Sequence, residues 1–437
     1  MNVKQAGSHR RGEHRFAFRW PSHARVLSIA FALLFVTALV PAAASALTPP
    51  ASDPFYAQPA NIAKFPHGTI VRERAVTLSG PTQAVAAAAY QLMYATTDAT
   101  GHPVAAVTTV MVPITPALGP RRLASYQTYY DSLTLNCAPS YTLQGGNNGG
   151  GTNGPTEQTM MSQELQQGWD VVTSDYEGLN SEWAVGPMLG HATLDSIIAA
   201  EHFAPAGLEG TRTEVSLNGY SGGSEASTWA AAFAPRYAPR LDIVGVAAGG
   251  NFPDLEYTTQ YFDGSLWYGT EIGILESFTR ALPHDFDLTK ILNASGQALA
   301  ARDGQDDSGC AGSTLNEPYA NASQYTNFPD SEDLALYPPV ERGLEYLSLK
   351  NGPLPKAPLF LYNSVDDDLA YIQPVDAWVA NYCRHGVTVD YDRDPTGGDH
   401  IGGLGPYWKA TLTYLENAFA GATPPNNCST YDGLPGG

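Results

Sequence analysis

The sequence predicts an α/β fold, a mostly parallel central sheet flanked by helices and interrupted by a mainly helical insertion. Three observations point there. Beyond residue 169, short Val/Ile/Leu-rich runs alternate with single helical stretches, as in βαβ units. One strand-to-helix joint carries a serine with glycines two residues to either side. Finally, the interval between Asn251 and Pro353 breaks the alternation.

A chain of 437 residues can close a large core without help from metal or disulfides. Charged residues make up 15 %, below the usual quarter, while 43 Gly and 33 Pro indicate loop-rich connections. With 43 % hydrophobic and 11 % aromatic residues, disorder is excluded. The formal charge of −20 repels phosphate backbones and anionic headgroups, so nucleic acid is excluded as a partner. No obligate protein partner is evident.

The N-terminus runs against that charge: Lys4, Arg10, Arg11, Arg15, Arg19 and Arg25 face only Glu13. They precede the apolar run Val26–Val40, then Pro41 and Ala44-Ser45-Ala46, an A-x-A cleavage pattern. As a helix the run would reach about 22 Å, short of a hydrocarbon core of about 30 Å. Residues 1–46 therefore read as a cleaved export signal. Residues 47–437 form the mature domain, secreted, extracellular or held at the cell envelope. In an exported chain, four cysteines without C-x-x-C or zinc spacing imply two disulfides. Three pairings are possible. Cys383–Cys428 would tie the tail to the last helical region, leaving Cys137–Cys310.

In chain order, residues 47–103 read as a lead-in punctuated by Pro and Gly. Tyr90–Tyr94, Ala105–Ile114 and Leu123–Tyr130 read as strands. The Gly/Asn run over 144–154 predicts a loop, without the lysine or glycine spacing of a phosphate cradle. Strands are then expected at Trp169–Ser174, Glu214–Asn218, Leu241–Ala247, Pro358–Asn363 and Val387–Asp392. Helices are expected at Ala192–Phe203, Ser224–Phe233, Val375–Cys383 and Tyr407–Phe419. Residues 252–353, with Tyr257, Tyr261, Phe262, Trp267 and Tyr268 in a helical cadence, read as a cap or lid. Such sheets bind ligands beyond the carboxyl ends of their strands, where an insertion can cover the site.

Gly219-Tyr220-Ser221-Gly222-Gly223 is a G-x-S-x-G pentapeptide between a strand and an Ala-rich helix. That setting is the nucleophile elbow of an α/β-hydrolase fold, with Ser221 as nucleophile and the Gly222 N–H as an oxyanion donor. Ser224 has poorer flanks. A serine nucleophile needs a base, and the base an orienting acid, in the chain order Ser, acid, His. His284 falls in the insertion and His385 at a helix end. His400 follows the last strand in a Gly-rich loop and is the expected base. The acid should end the strand at 358–363, where Asp366, Asp367 and Asp368 stand together and pattern alone leaves them level. Asp390-Tyr-Asp-Arg-Asp394 resembles a calcium loop, but Pro395 replaces the required Gly, so no metal is expected.

Further signatures then accumulate: Ser125-Tyr-Gln-Thr-Tyr-Tyr-Asp131, Leu135-Asn-Cys-Ala-Pro-Ser-Tyr141, Leu165-Gln-Gln-Gly-Trp-Asp-Val-Val172, Ser174-Asp-Tyr-Glu-Gly178 and Gln373-Pro374. With the pentapeptide and the His400 loop, they span about 120–420 and resemble the secretory lipase family. The resemblance implies an α/β-hydrolase with an inserted lid that acts on ester bonds. Its acid lies a fixed distance before the Gln-Pro pair, which points to Asp367. Its oxyanion hole implies Asp131 beside Gly222, and its cysteine pairing agrees with Cys383–Cys428. A carboxylate would repel an oxyanion, so Asp131 should act through its N–H or in protonated form. The extra aspartate at 366 and the run at 144–154 depart from the family.

The expected function is hydrolysis of triacylglycerol, other lipid-like esters or small esters through an acyl-enzyme on Ser221, with transient contact at a lipid–water interface. No cofactor is required. The alternative is a secreted serine peptidase of the same fold. A silent binding protein would be expected to have lost one of the three residues, and none is missing.

Overall fold

The computed structural model describes residues 47–149, 154–303 and 317–431. The expected export signal at 1–46, Cys310 and part of the Gly/Asn run lie outside them. Strands β1 (Ile70–Val76), β2 (Ala87–Thr97), β3 (Pro103–Pro113), β4 (Leu123–Gln127), β5 (Asp170–Ser174), β6 (Glu214–Tyr220), β7 (Asp242–Gly249), β8 (Leu359–Ser364) and β9 (Val389–Asp394) form one sheet. Its order is β1-β2-β3-β5-β4-β6-β7-β8-β9. The pairs β1/β2, β2/β3 and β3/β5 are antiparallel. From β5 through β9 every pair is parallel. The mostly parallel α/β sheet expected from the alternation is the one observed.

The central parallel strands are covered on both faces, so β4, β5 and β8 are buried at every position. On one face lie α2 (Gly186–His202), α3 (Gly222–Tyr237) and α4 (Ile372–Arg384). Leu189, Ile197, Trp229 and Trp378 anchor that core. On the other lie α1 (Pro155–Gln166) and α5 (Leu404–Phe419), held by Met161, Leu165, Tyr407 and Phe419.

The described part of the chain between β7 and β8 is mainly helical, from Leu255–Gln260 and Tyr268–Ala281 to Pro338–Leu347, with turns between the helices and one isolated bridge, Leu292 to Thr326. Its Phe262, Tyr268, Ile272 and Phe278 belong to the same apolar core as α2 and α3. The inserted helices are thus packed onto the sheet layer and continuous with it. Their two ends meet at a stem, where Lys350 Nζ bonds Asp254 and Glu256, each at 3.1 Å.

Two local expectations change. The lead-in contains β1, a strand hidden by Arg72-Glu73-Arg74. It is an edge strand with a half-exposed face, and Arg74 reaches Gln91 and Asp53 at 2.7 Å each. Charged side chains are how sheet edges resist further pairing. In the Gly/Asn run, Gly146–Gly149 forms a 3-10 turn.

The opposite edge, β9, is covered by the C-terminal tail. Asn427 N donates to Val389 O at 3.0 Å, and its side-chain amide pairs with Tyr391 N at 2.9 Å and Tyr391 O at 3.0 Å. The next residue, Cys428, forms the expected disulfide with Cys383.

Candidate active site

Ser221 joins the end of β6 to the start of α3 with φ 55° and ψ −127°, a left-handed conformation rare for a side-chain-bearing residue. Such strain costs on the order of 1–3 kcal/mol and persists only where its surroundings enforce it. The surroundings are backbone. A Cβ on Gly219 would overlap Gly223 O and lie 2.8 Å from Gln127 O, and one on Gly223 would overlap the same Gln127 O. Strand, turn and helix can approach this closely only without side chains at those positions. Ser221 N is fixed to Gly249 O at 2.8 Å. The Tyr407 hydroxyl accepts from Gly219 N and donates to Ala247 O, both at 3.1 Å. Ser224, the poorer alternative, is buried and turned toward Gly250 O.

The turn presents Ser221 Oγ 2.8 Å from Nε2 of His400. Nδ1 of the same ring lies 2.9 and 3.0 Å from the two carboxylate oxygens of Asp367. All three residues are buried. The three consecutive aspartates, level in the sequence, separate here. Asp366 is exposed. Asp367 turns inward and also accepts from Leu369 N at 3.0 Å and Ala370 N at 2.6 Å. The residue that meets the imidazole is therefore also the one that caps the following turn. Asp368 accepts from His400 N at 3.1 Å and from Trp267 Nε1 at 3.1 Å.

His400 is held at every polar atom, since its carbonyl accepts from the Tyr220 hydroxyl at 2.6 Å. Its ring packs against Tyr220, Phe252 and Trp267, with centroids 5.3, 5.7 and 5.8 Å away. Burial alone would lower the imidazole pKa, but the Asp367 charge and hydrogen bond, with Asp368 and Asp131 adding, raise it above its ordinary value. His284 is exposed, and His385 bonds its own helix at Asn381 O.

Asp131 follows β4 with φ 33° and is buried. Its carboxyl packs against the Cα of Gly222, where a Cβ would overlap Oδ1. Gly222 opens α3, where the first backbone N–H groups have no acceptor within the helix. Burial pushes the Asp131 carboxyl up to about 7, with His400 and Trp183 pulling the other way. Near neutrality much of it is protonated and able to donate.

Sequence reasoning missed Tyr407, Phe252, Trp267 and the bridging role of Asp368. Asp368 lies in the aspartate run and Trp267 in the expected cap, but their contact joins two distant segments; Phe252 and Tyr407 lie outside the motifs, and nothing in their local pattern marks them. Among the described residues, no group of three His, Cys, Asp or Glu could hold a metal, and no helix is long and apolar enough to cross a membrane.

A family model described as secretory lipase matches residues 150–427. Lipase A of Arthroderma benhamiae is 33 % identical over 90 % of this chain and 85 % of its own. A trichothecene C-3 esterase of Fusarium sporotrichioides is 32 % identical over 90 % of this chain and 89 % of its own. Among solved structures, Candida antarctica lipase A in its closed state superposes with a TM-score of 0.80 at 31 % identity, covering 88 % of this chain and 90 % of the other.

Proposed function

The chain belongs to the secretory lipase family, and from that premise we propose that it cleaves carboxylic esters through an acyl-enzyme on Ser221. The observation that supports this reading most is the unbroken chain from Ser221 Oγ through both ring nitrogens of His400 to Asp367. His400 Nε2 takes the hydroxyl proton as Oγ attacks the ester carbonyl. Asp367 holds the tautomer and stabilises the imidazolium. The Gly222 N–H and Asp131, through its N–H or its protonated carboxyl, meet the oxyanion. Each such donor contributes about 3–4 kcal/mol in comparable sites. Collapse of the intermediate expels the alcohol, which receives the proton from His400. Water then attacks the acyl-enzyme by the same route in reverse.

The matched relatives carry lipase and esterase names, which favours ester over peptide bonds. An extracellular location accords with the family description, and we propose that residues 1–46 are the export signal removed on the way. The inserted helices over 252–353 act as the cap, since their Trp267 and the stem residue Phe252 wall the His400 ring. Cys137–Cys310 is proposed as the second disulfide.

The test is turnover of p-nitrophenyl esters from C2 to C18 by the mature chain and by Ser221→Ala. A folded variant with nearly all turnover lost is expected. Substantial residual activity in it overturns the mechanism. A maximum at medium or long chains identifies lipid-like substrates, and a maximum at C2–C4 a small-ester site.

A further inference from the structure

The acid–base–serine chain is fixed from outside by a carboxylate that takes no part in it. Asp368 has one oxygen on the backbone N–H of His400 and the other on the indole N–H of Trp267, both at 3.1 Å. Trp267 belongs to the inserted helices, at the residue before Tyr268–Ala281, and is nearly buried. Its ring stands edge-on to the imidazole, at an interplanar angle of 83°. Asp368 therefore joins an element of the insertion to the backbone of the histidine loop through one rigid planar group.

We propose that Asp368 is a positioning residue that makes the placement of His400 depend on the seating of the inserted helices, read through the indole N–H of Trp267. This rests on the ester-hydrolase reading of the same site. Hydrogen bonds to a carboxylate are roughly twice as strong as neutral ones. Leaving one of its oxygens without a donor in a half-buried position weakens its hold on the other partner as well. In its own loop the neighbouring carboxylate of Asp399 is engaged with Gly402 N at 2.8 Å, and the bond that the structure gives His400 N–H is the one to Asp368. A displaced insertion would thus loosen the base while Ser221, fixed by β6 and Gly249, stayed in place.

Two variants isolate the link. Trp267→Phe keeps a ring against His400 and removes the donor. Asp368→Asn keeps an oxygen for His400 N–H but cannot accept from the indole with its amide nitrogen. Each is expected to lower kcat roughly tenfold, at the low end for one lost charge-assisted hydrogen bond. The double variant is expected to be no slower than the slower single one, because both break the same link. Multiplying effects overturn the proposal.

A second readout does not depend on turnover. Amide hydrogen exchange should speed up over residues 396–403 in Trp267→Phe, although the substituted side chain lies in the insertion. Unchanged exchange there, with the variant folded, overturns the proposal even if the enzyme hydrolyses esters through Ser221. Faster exchange there supports it even if Ser221→Ala shows the hydrolase reading to be wrong.

Discussion

Replacing Gly222 by alanine puts one methyl group where the Asp131 carboxyl now lies. The new Cβ would overlap Oδ1, stand 2.8 Å from Cγ and 3.2 Å from Oδ2. Ordinary carbon contacts begin near 3.5 Å, so the carboxyl must retreat by roughly 1 to 1.5 Å. Alanine suits the first turn of a helix, and the atoms it displaces are the end of a side chain, so the protein should fold. The retreat, however, moves one of the two groups proposed to meet the oxyanion. A displacement of that size can cost about a hundredfold in rate. Complete loss of one donor costs about 2.7–4 kcal/mol, or roughly 10²–10³-fold.

The expected result is therefore a kcat lowered about 10²–10³-fold on a p-nitrophenyl ester, with KM little changed, since the donors act on charge that appears only in the transition state. Gly223→Ala is the control next door. Its methyl meets the backbone carbonyl of Gln127 in β4, which cannot swing aside, so that variant should lose stability first. The assay is steady-state kinetics alongside thermal unfolding of both proteins. A folded Gly222→Ala enzyme within tenfold of the parent kcat would show that the developing charge does not lie between Gly222 and Asp131.

Two further outcomes are expected. Asp367→Asn should lower kcat by about 10⁴-fold by destabilising the required tautomer, while Asp366→Asn, altering an exposed side chain, should match the parent; equal effects would refute the assignment. Stability should decline from mildly acidic to mildly alkaline pH. Burial raises Glu164 and Glu271 from 4.5 to about 8, and Asp131 and Asp175 from 3.8 to about 7. The folded state then holds more protons than the unfolded one, so stability present below about 4 drains away as pH rises through 7 to 8. The midpoint of thermal unfolding should be higher at pH 5 than at pH 8, and the reverse order would refute this account.

What the sequence could and could not disclose follows from the physics of each element. The parallel half was legible because strands buried on both faces read as apolar runs, as in Leu359–Tyr362. The strand Ile70–Val76 was not, because its three charged residues look like loop and serve as edge protection. The serine and histidine were legible because a strained turn needs glycines and a base needs a loop. The choice among Asp366, Asp367 and Asp368 was not readable from those residues alone, since it depends on which one the turn buries; the family spacing supplied it.

Helix α1 is a clearer failure of pattern. Sequence reasoning missed this helix altogether, and its Glu157 and Glu164 are fully buried. Glu164 accepts from Asn218 at 2.9 Å, and Glu157 from Tyr126 and Tyr129 N at 3.2 Å. Partners brought from other elements decide such burial, and no local window contains them.

The side-chain amide of Asn427, standing in for one more strand against Tyr391, also makes a chemical conflict. Asn427-Cys428-Ser429 is a glycosylation sequon, and the nitrogen that would carry a glycan is the Nδ2 that donates to Tyr391 O. A glycosylating host has a choice at this tripeptide. If the sugar arrives before the tail docks, the open side of β9 loses this cover and is left to its own charged residues, Asp390, Asp392, Arg393 and Asp394, to resist further pairing. If the Cys383–Cys428 crosslink closes first, the acceptor is sequestered and the site stays unmodified. In such a host, the order of oxidation and glycosylation would decide whether the tail covers this edge.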